Sequence, residues 1–121
     1  MKHEEHDIQM AIINYLRLNN FFCFAVPNGG QRNVMVAKNL KAEGVLAGVA
    51  DIVIMMLDRI IFVEVKTNKG AQQQSQKNFQ YACEFYGHEY MIWRSIDDAI
   101  DFVNNSQNSE RFNWSNYIAN N

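Results

Sequence analysis

Apolar side chains at Ile8, Ala11, Ile12, Tyr15 and Leu16 recur at the i, i+3, i+4, i+7 spacing of one helical face, so residues 4–19 are predicted to form an amphipathic helix. Glu4, Glu5 and Asp7 fall in its first turn, where the helix dipole favours negative charge. The run FFCFAV (21–26) reads as a buried strand, ended by the breakers PNGG (27–30). QRNVMVAKNLKAEG (31–44) is partly helical in pattern, with Val34, Ala37 and Leu40 or Lys41 in register and Gly44 as its stop. In GVADIVIMMLDRIIFVEVKT, two β-branched apolar runs flank Asp58-Arg59 and predict a hairpin. AQQQSQKNFQYACEFYG (71–87) predicts a helix with Phe79, Ala82, Cys83 and Tyr86 inward and Gly87 at its C-terminus. HEYMIWR (88–94) is a further strand. Ser95 then caps a last helix, with Asp98 as its capping-box partner and Ile96, Ala99, Ile100 and Val103 facing the core.

The order α-β-(α)-β-β-α-β-α implies an α/β fold, a mixed sheet of about four strands flanked by helices. Its domain runs over residues 1–104. Residues 105–121 form a polar tail that carries Trp114, Tyr117 and Ile118 as large apolar groups. The length of 121 residues suits one domain, and 48% hydrophobic with 20% charged residues is the balance of a globular protein. No apolar run approaches the ~20 residues of a membrane span, and MKHEEHDIQM is too polar for a signal peptide. Cys23 and Cys83, in apolar surroundings without CxxC spacing, read as reduced core residues of an intracellular protein. His3, His6 and His88 fit no motif and read as surface residues. A net charge of −2 does not advertise a polyanion partner, but Arg32, Lys38, Lys41, Lys66, Lys69 and Lys77 make the middle of the chain locally basic.

Candidate chemistry starts at FVEVKTNKG (62–70). Glu64 and Lys66 stand two apart in a strand, hence on one face, and share that face with Ile60 and Phe62. Unpaired charge in such surroundings costs several kcal/mol unless a partner or a metal compensates. The bland alternative is an exposed pair on a wet face, with Asp51 merely opening a strand. An even loop centred between Asp58 and Arg59 sets Asp51 opposite Lys66 and Val53 opposite Glu64. Asp51 and Glu64 are then diagonal neighbours roughly 7–8 Å apart. An odd loop sends Asp51 to the other face, so the pairing rests on loop parity. Two carboxylates and an ammonium suit Mg²⁺, a hard cation satisfied by one or two carboxylates, waters and substrate phosphate. The carbonyl of Val65 could add a ligand.

In chain order these residues form a set. Glu5, Ile8 and Gln9 make "E-x-x-I-Q", and Asn28, Gly29 and Gly30 make "N-G-G". Gly48, Val49, Ala50 and Asp51 stand where "G-V-P-D" would, Glu64, Val65 and Lys66 form "E-V-K", and Lys69, Gln76 and Lys77 follow. From about Glu4 to Val103 the sequence resembles the VRR-NUC domain of the PD-(D/E)xK nuclease superfamily, in the short stand-alone form typical of phages and prophages. The one departure is Ala50 in place of proline, which should loosen the approach to Asp51 without removing chemistry.

The resemblance implies a restriction-endonuclease-like core and a Mg²⁺- or Mn²⁺-dependent phosphodiesterase. Asp51 and Glu64 would be metal ligands, Lys66 the catalytic lysine, Glu5 a rim residue reaching the metal through water, and Gln76 a contact to the site or the DNA backbone. Arg32, Lys38, Lys41, Lys69 and Lys77 would bind nucleic acid. By analogy with Holliday-junction resolvases, the expected protein is a homodimeric endonuclease for branched DNA, phage- or prophage-encoded and cytoplasmic in the host cell. It would leave a 5′-phosphate and a 3′-hydroxyl. The alternatives are a less selective DNA nuclease or nickase, and a non-catalytic nucleic-acid-binding module with the same fold.

Overall fold

Helix α1 (Lys2–Leu18) starts two residues earlier than its apolar pattern, so Glu4 and Glu5 occupy the first turn and Asp7 lies beyond it. The computed structural model describes residues 2–27 and 34–119. Ile12 and Leu16 are fully buried, with Ile8, Ile13 and Tyr15 packed beside them, while Ala11, expected inward, sits exposed on the flank. The helix ends at Asn20, whose φ of 66° takes the left-handed conformation that asparagine tolerates. The Phe21 N–H then reaches back to the Leu16 carbonyl at 3.0 Å.

The strand expected over 21–26 is only three residues long, β1 (Cys23–Ala25), and only its first residue is buried. As the edge of the sheet order β1-β2-β3-β4 it has one neighbour, which is why Phe24 and Ala25 stay in solvent. Helix α2 (Val34–Ala42) forms within the segment expected to be partly helical, buries none of its residues, and is followed by Gly44 at φ 105°. Strands β2 (Ile52–Met55) and β3 (Ile60–Val65) make the predicted antiparallel hairpin, paired from Ile52↔Val63 to Met55↔Ile60.

That register corrects the expected one. The turn centres on Leu57-Asp58 and is closed by the Met56 N–H on the Arg59 carbonyl at 2.9 Å. Arg59 is drawn toward the sheet because its guanidinium pairs with Glu89 at the start of the next strand and with Asp58 at 3.0 Å. Every pairing slides by two residues. Val53 therefore faces Phe62 rather than Glu64, and Asp51 comes level with Glu64 rather than Lys66. A two-residue slide preserves parity, so the residues stay on the expected face.

Helix α3 (Gln74–Phe85) is the crossover that lets β4 (Glu89–Trp93) lie parallel to β3, from Ile61↔Glu89 to Val65↔Trp93. Cys83 is buried and Phe79 half-buried on α3, but Ala82 and Tyr86, expected inward, are exposed. The helix is rotated so that Gln76 as well as Cys83 turns to the sheet, which swings Ala82 and Tyr86 outward. Helix α4 (Ile96–Asn104) buries Ala99 and Val103, with Ile96 and Phe102 packed alongside. Ser95 caps it by accepting the Asp97 N–H at 3.2 Å, whereas the Asp98 carboxylate accepts from Arg94 N–H at 2.7 Å, one residue earlier than a capping box requires.

Alternation along the strands sorts the sheet into two faces. Ile52, Ile54, Ile61, Val63, Val65 and Trp93 join Ile12, Leu16, Phe21, Ala99 and Val103 in the core beneath α1 and α4. Val53, Phe62 and Glu64 point the other way, toward α3, with Phe62 edge-on to Phe79 at 5.2 Å. The polar tail folds back. After a single 3₁₀ turn (Asn108–Glu110), helix α5 (Trp114–Ala119) stacks Trp114 on Phe22 at 5.1 Å, with Trp114 Nε1 donating to the Phe21 carbonyl at 2.9 Å. Arg17 lies over the Trp114 ring at 4.9 Å. Both cysteines are free and buried, and burial pushes the Cys23 thiol up to about 11. No helix among the described residues is long and apolar enough to cross a membrane.

Candidate functional site

Asp51 is fixed from both sides. Its carbonyl accepts the Val26 N–H at 2.8 Å, and its Oδ2 accepts the Val65 N–H, also at 2.8 Å. The Asp51 side chain thus reaches the backbone between Glu64 and Lys66. In the segment before it, where the ring of a proline is missing, Ala50 is fully buried and Gly48 adopts φ 88°. A Cβ on Gly48 would lie 2.2 Å from the Ser75 carbonyl oxygen, so the chain passes directly against the first turn of α3. Only glycine fits both the dihedral and the space.

Glu64 and Lys66 are 3% and 7% exposed, unusual burial for both residue types, which rules out the wet-face alternative. Glu64 Oε2 accepts from Gln76 Nε2 at 3.0 Å and lies 3.9 Å from Lys66 Nζ. Gln76 is itself locked, because its Oε1 accepts the Gln73 N–H at 2.8 Å at the start of α3. The Lys66 stem rests against Gly70, where an added Cβ would come within 3.4 Å of the lysine Cδ. Arg94 brackets the loop after Lys66, donating from Nη1 to the carbonyls of Thr67 and Gly70, each at 2.7 Å, and of Asn68 at 3.3 Å.

Electrostatics make Glu64 the unsettled member. Burial first, then the Asp51 charge and a hydrogen bond with Asp51, push its carboxyl up to about 8. Lys66 opposes the shift, and Glu5, half-buried in α1, adds slightly to it. Only the protonated acid can donate that hydrogen bond. As a carboxylate, Glu64 leaves its buried Oε1 with no hydrogen-bond donor. A buried charged oxygen without a partner is costly, and a cation between the two acids would satisfy it. Among the described residues no three His, Cys, Asp or Glu side chains converge on a metal position. Two carboxylates match a hard cation that keeps waters and takes substrate oxygens.

Lys38, Lys41, Lys69 and Lys77 are all exposed. Lys77 follows Gln76 in α3, and Lys41 stands on the lip of a cavity of about 810 Å³ between α2 and α3, lined also by Leu40, Val45, Gly48, Ser75 and Phe79. Arg32 and the Asn28-Gly29-Gly30 motif lie outside the described residues, as does the side chain of His3. Tyr90 and Gln72 went unnoticed in the sequence. Burial, with a smaller push from the Glu64 and Asp51 charges, raises the Tyr90 hydroxyl to about 12, and Gln72 Nε2 donates to it at 3.2 Å. Strand parity was the available signal, since Tyr90 pairs with Phe62 and faces the same way. Arg94 left no signal of that kind. His88, read as a surface residue, is half-buried, and its Nδ1 accepts the Ile60 N–H at 3.1 Å.

No protein-family model matches the sequence, and no curated protein matches it either. A solved structure described as a VRR_NUC domain protein superposes with a TM-score of 0.71 over 90% of this chain and 92% of its own, at 19% identity. Another, described as a VRR_NUC domain, gives 0.63 over 86% and 98%, at 14% identity. The chain has the VRR-NUC fold. The match spans nearly the whole chain, so the VRR-NUC fold takes in the hairpin bearing Asp51 and Glu64, the crossover helix bearing Gln76 and the parallel strand β4.

Proposed function

We propose that this protein is a VRR-NUC nuclease, a Mg²⁺- or Mn²⁺-dependent endonuclease that hydrolyses phosphodiester bonds in branched DNA and works as a homodimer. The observation that carries the reading is the Asp51–Glu64 pair beside Lys66. Two acids share one sheet face, and the buried one has an oxygen without a donor. Asp51, Glu64 and the Val65 carbonyl would hold the ion, with Glu5 reaching it through water. Support for Val65 is geometric, because a strand residue's carbonyl lies on the same edge as its N–H, and that N–H points at Asp51. Bound there, a divalent ion would neutralise charge on the phosphate and acidify a water.

The chain's own groups do the rest. The Lys66 ammonium lies 3.9 Å from Glu64 Oε2 and can hydrogen-bond a phosphate oxygen as charge develops on it. Gln76 keeps Glu64 aimed, and the Arg94 bracket steadies the loop after the lysine. Lys38, Lys41, Lys69 and Lys77, with Arg32, would grip phosphates, a mode that positions DNA without reading its bases. Exposed Val45 and Leu46, with Ala37 and Leu40, give the α2–α3 cavity an apolar lining that suits a second copy of the chain.

The test is cleavage of synthetic four-way junctions, flaps and plain duplex with Mg²⁺ or Mn²⁺ by the wild type, Asp51→Ala and Lys66→Ala, with folding checked by circular dichroism. Metal-dependent cutting of branched substrates, lost in both variants, is the expected result. Equal activity in wild type and variants contradicts the assigned roles, and equal cutting of all substrates reduces the reading to an unselective nuclease.

A further inference from the structure

Helix α3 turns one side to Glu64 and the other to solvent. Gln76 and Cys83 mark the inward side, and half a turn away Tyr81 and Phe85 stand 73% and 69% exposed. Their rings are nearly parallel, with centroids 6.4 Å apart and planes at 28°. Tyr86, 75% exposed, meets Phe85 edge-on at 5.1 Å. Packing within the fold does not account for three large rings left in water on one helix end.

Lys77 stands in the same row, one turn nearer the site and next in the chain to Gln76. Residues at i, i+4 and i+8 are surface neighbours, so Lys77, Tyr81 and Phe85 form a ridge with steps of about 6 Å along the helix axis. Across the cavity, Lys41 faces the same end of α3 at Ser75 and Asn78. The acid on this stretch, Glu84, adjoins the ridge three residues on from Tyr81, and its Oε2 accepts from Gln80 Nε2 at 3.2 Å.

We infer that this outward ridge is a binding track for an unpaired nucleic-acid strand, with bases stacked on Tyr81 and Phe85 and phosphates held by Lys77 and Lys41. The inference rests on the nuclease reading and names the feature of the substrate it would select, a single-stranded arm leading away from the cut. The rings and the lysines together decide the occupant, with Lys77 and Lys41 set against the single carboxylate of Glu84. A ridge cationic at its site-proximal end and aromatic beyond it matches a polyanion whose every unit carries a π-face, and stacking of that kind needs no particular sequence. The adjoining cavity wall, with aliphatic Leu40 and Val45, is the seat suited to a protein.

Fluorescence anisotropy tests the track, using a labelled oligothymidylate and a blunt duplex in EDTA, where no metal-dependent cutting occurs. The full chain is compared with the double variant Tyr81→Ala/Phe85→Ala and with Lys77→Ala. The double variant should bind the oligothymidylate at least tenfold more weakly and the duplex within twofold of wild type. Lys77→Ala should lower the salt slope of single-strand binding by about 0.7. Both should keep the wild-type melting temperature and sedimentation. Unchanged oligothymidylate binding, or an equal loss on duplex, overturns the track. So does a changed sedimentation of the double variant, which assigns the ridge to a second copy. A wild type that binds through the rings but cuts nothing keeps the track and removes the nuclease reading. Cutting without any effect of the rings does the reverse.

Discussion

Asp51 Oδ2 accepts the Val65 N–H at 2.8 Å, so the acid before β2 is tied to the peptide between Glu64 and Lys66 on β3. The bond joins the carboxylate proposed as a metal ligand to the fold itself. Substitutions at Asp51 therefore split two effects. Asp51→Asn keeps an acceptor for Val65 and should melt within a few degrees of wild type, while cleavage falls at least a hundredfold. Asp51→Ala also strands the amide and should cost about 1–3 kcal/mol in addition. Paired denaturation and cleavage measurements check this, and an active Asp51→Asn would remove Asp51 from the chemistry.

Glu64 gives a pH signature with a definite sign. Its folded-state carboxyl is raised to about 8, above its value in the unfolded chain. Between the usual glutamate range and pH 8 the folded state then holds a proton that the unfolded state has lost. Metal-free stability contributed by this group is full at low pH and declines as pH rises through 8. Melting temperature in EDTA should follow that decline, and Glu64→Gln should flatten it. Mn²⁺ should raise the melting temperature more at pH 8.5 than at pH 6, because binding no longer has to displace the proton.

Gln76 connects the start of α3 to Glu64 through both ends of its amide. Gln76→Ala should cost about 1–2 kcal/mol from the two lost bonds and lower cleavage tenfold or more. Gln76→Glu keeps the bond to the Gln73 N–H but places a second acid against Glu64, so its stability should suffer less and its metal affinity more. Calorimetric Mn²⁺ titration and denaturation read the two effects separately.

Gly48→Ala tests the close approach of the Asp51 segment to α3. With the added Cβ 2.2 Å from the Ser75 carbonyl and φ at 88°, backbone must move. Overpacking and dihedral strain together should cost roughly 2–4 kcal/mol. Since the helix turn that would be displaced carries Gln76, activity should fall further than the unfolded fraction explains. Gly44→Ala, with open space around it, is the control that carries dihedral strain alone.

Local patterning made the element order and the shared face of Glu64 and Lys66 legible. The two-residue spacing of Glu64 and Lys66 fixed their common side, and the apolar company of Ile60 and Phe62 foretold their burial. What escaped depended on distant partners. The hairpin register followed Arg59, whose partner Glu89 lies thirty residues further along. The rotation of α3 followed Gln76 reaching Glu64, so periodicity alone misplaced Ala82 and Tyr86. The tail reads as polar because its order rests on a few rings, chiefly Trp114 against Phe22. Tyr90 was recoverable from strand parity. Arg94 was not, since nothing near it in sequence marks the carbonyls it binds.

The three carbonyls gathered by Arg94 have a practical consequence. A guanidinium so engaged, one residue beyond β4, keeps its charge, but its Nη1 is committed to the loop. What it gives the molecule is shape memory: the Thr67–Gly70 bend and the lysine before it should loosen together or not at all. Deuterium uptake at the Gly70 amide, which donates to the Thr67 carbonyl at 3.1 Å, is therefore an inexpensive gauge of whether any variant still holds its amine ready, with no substrate required.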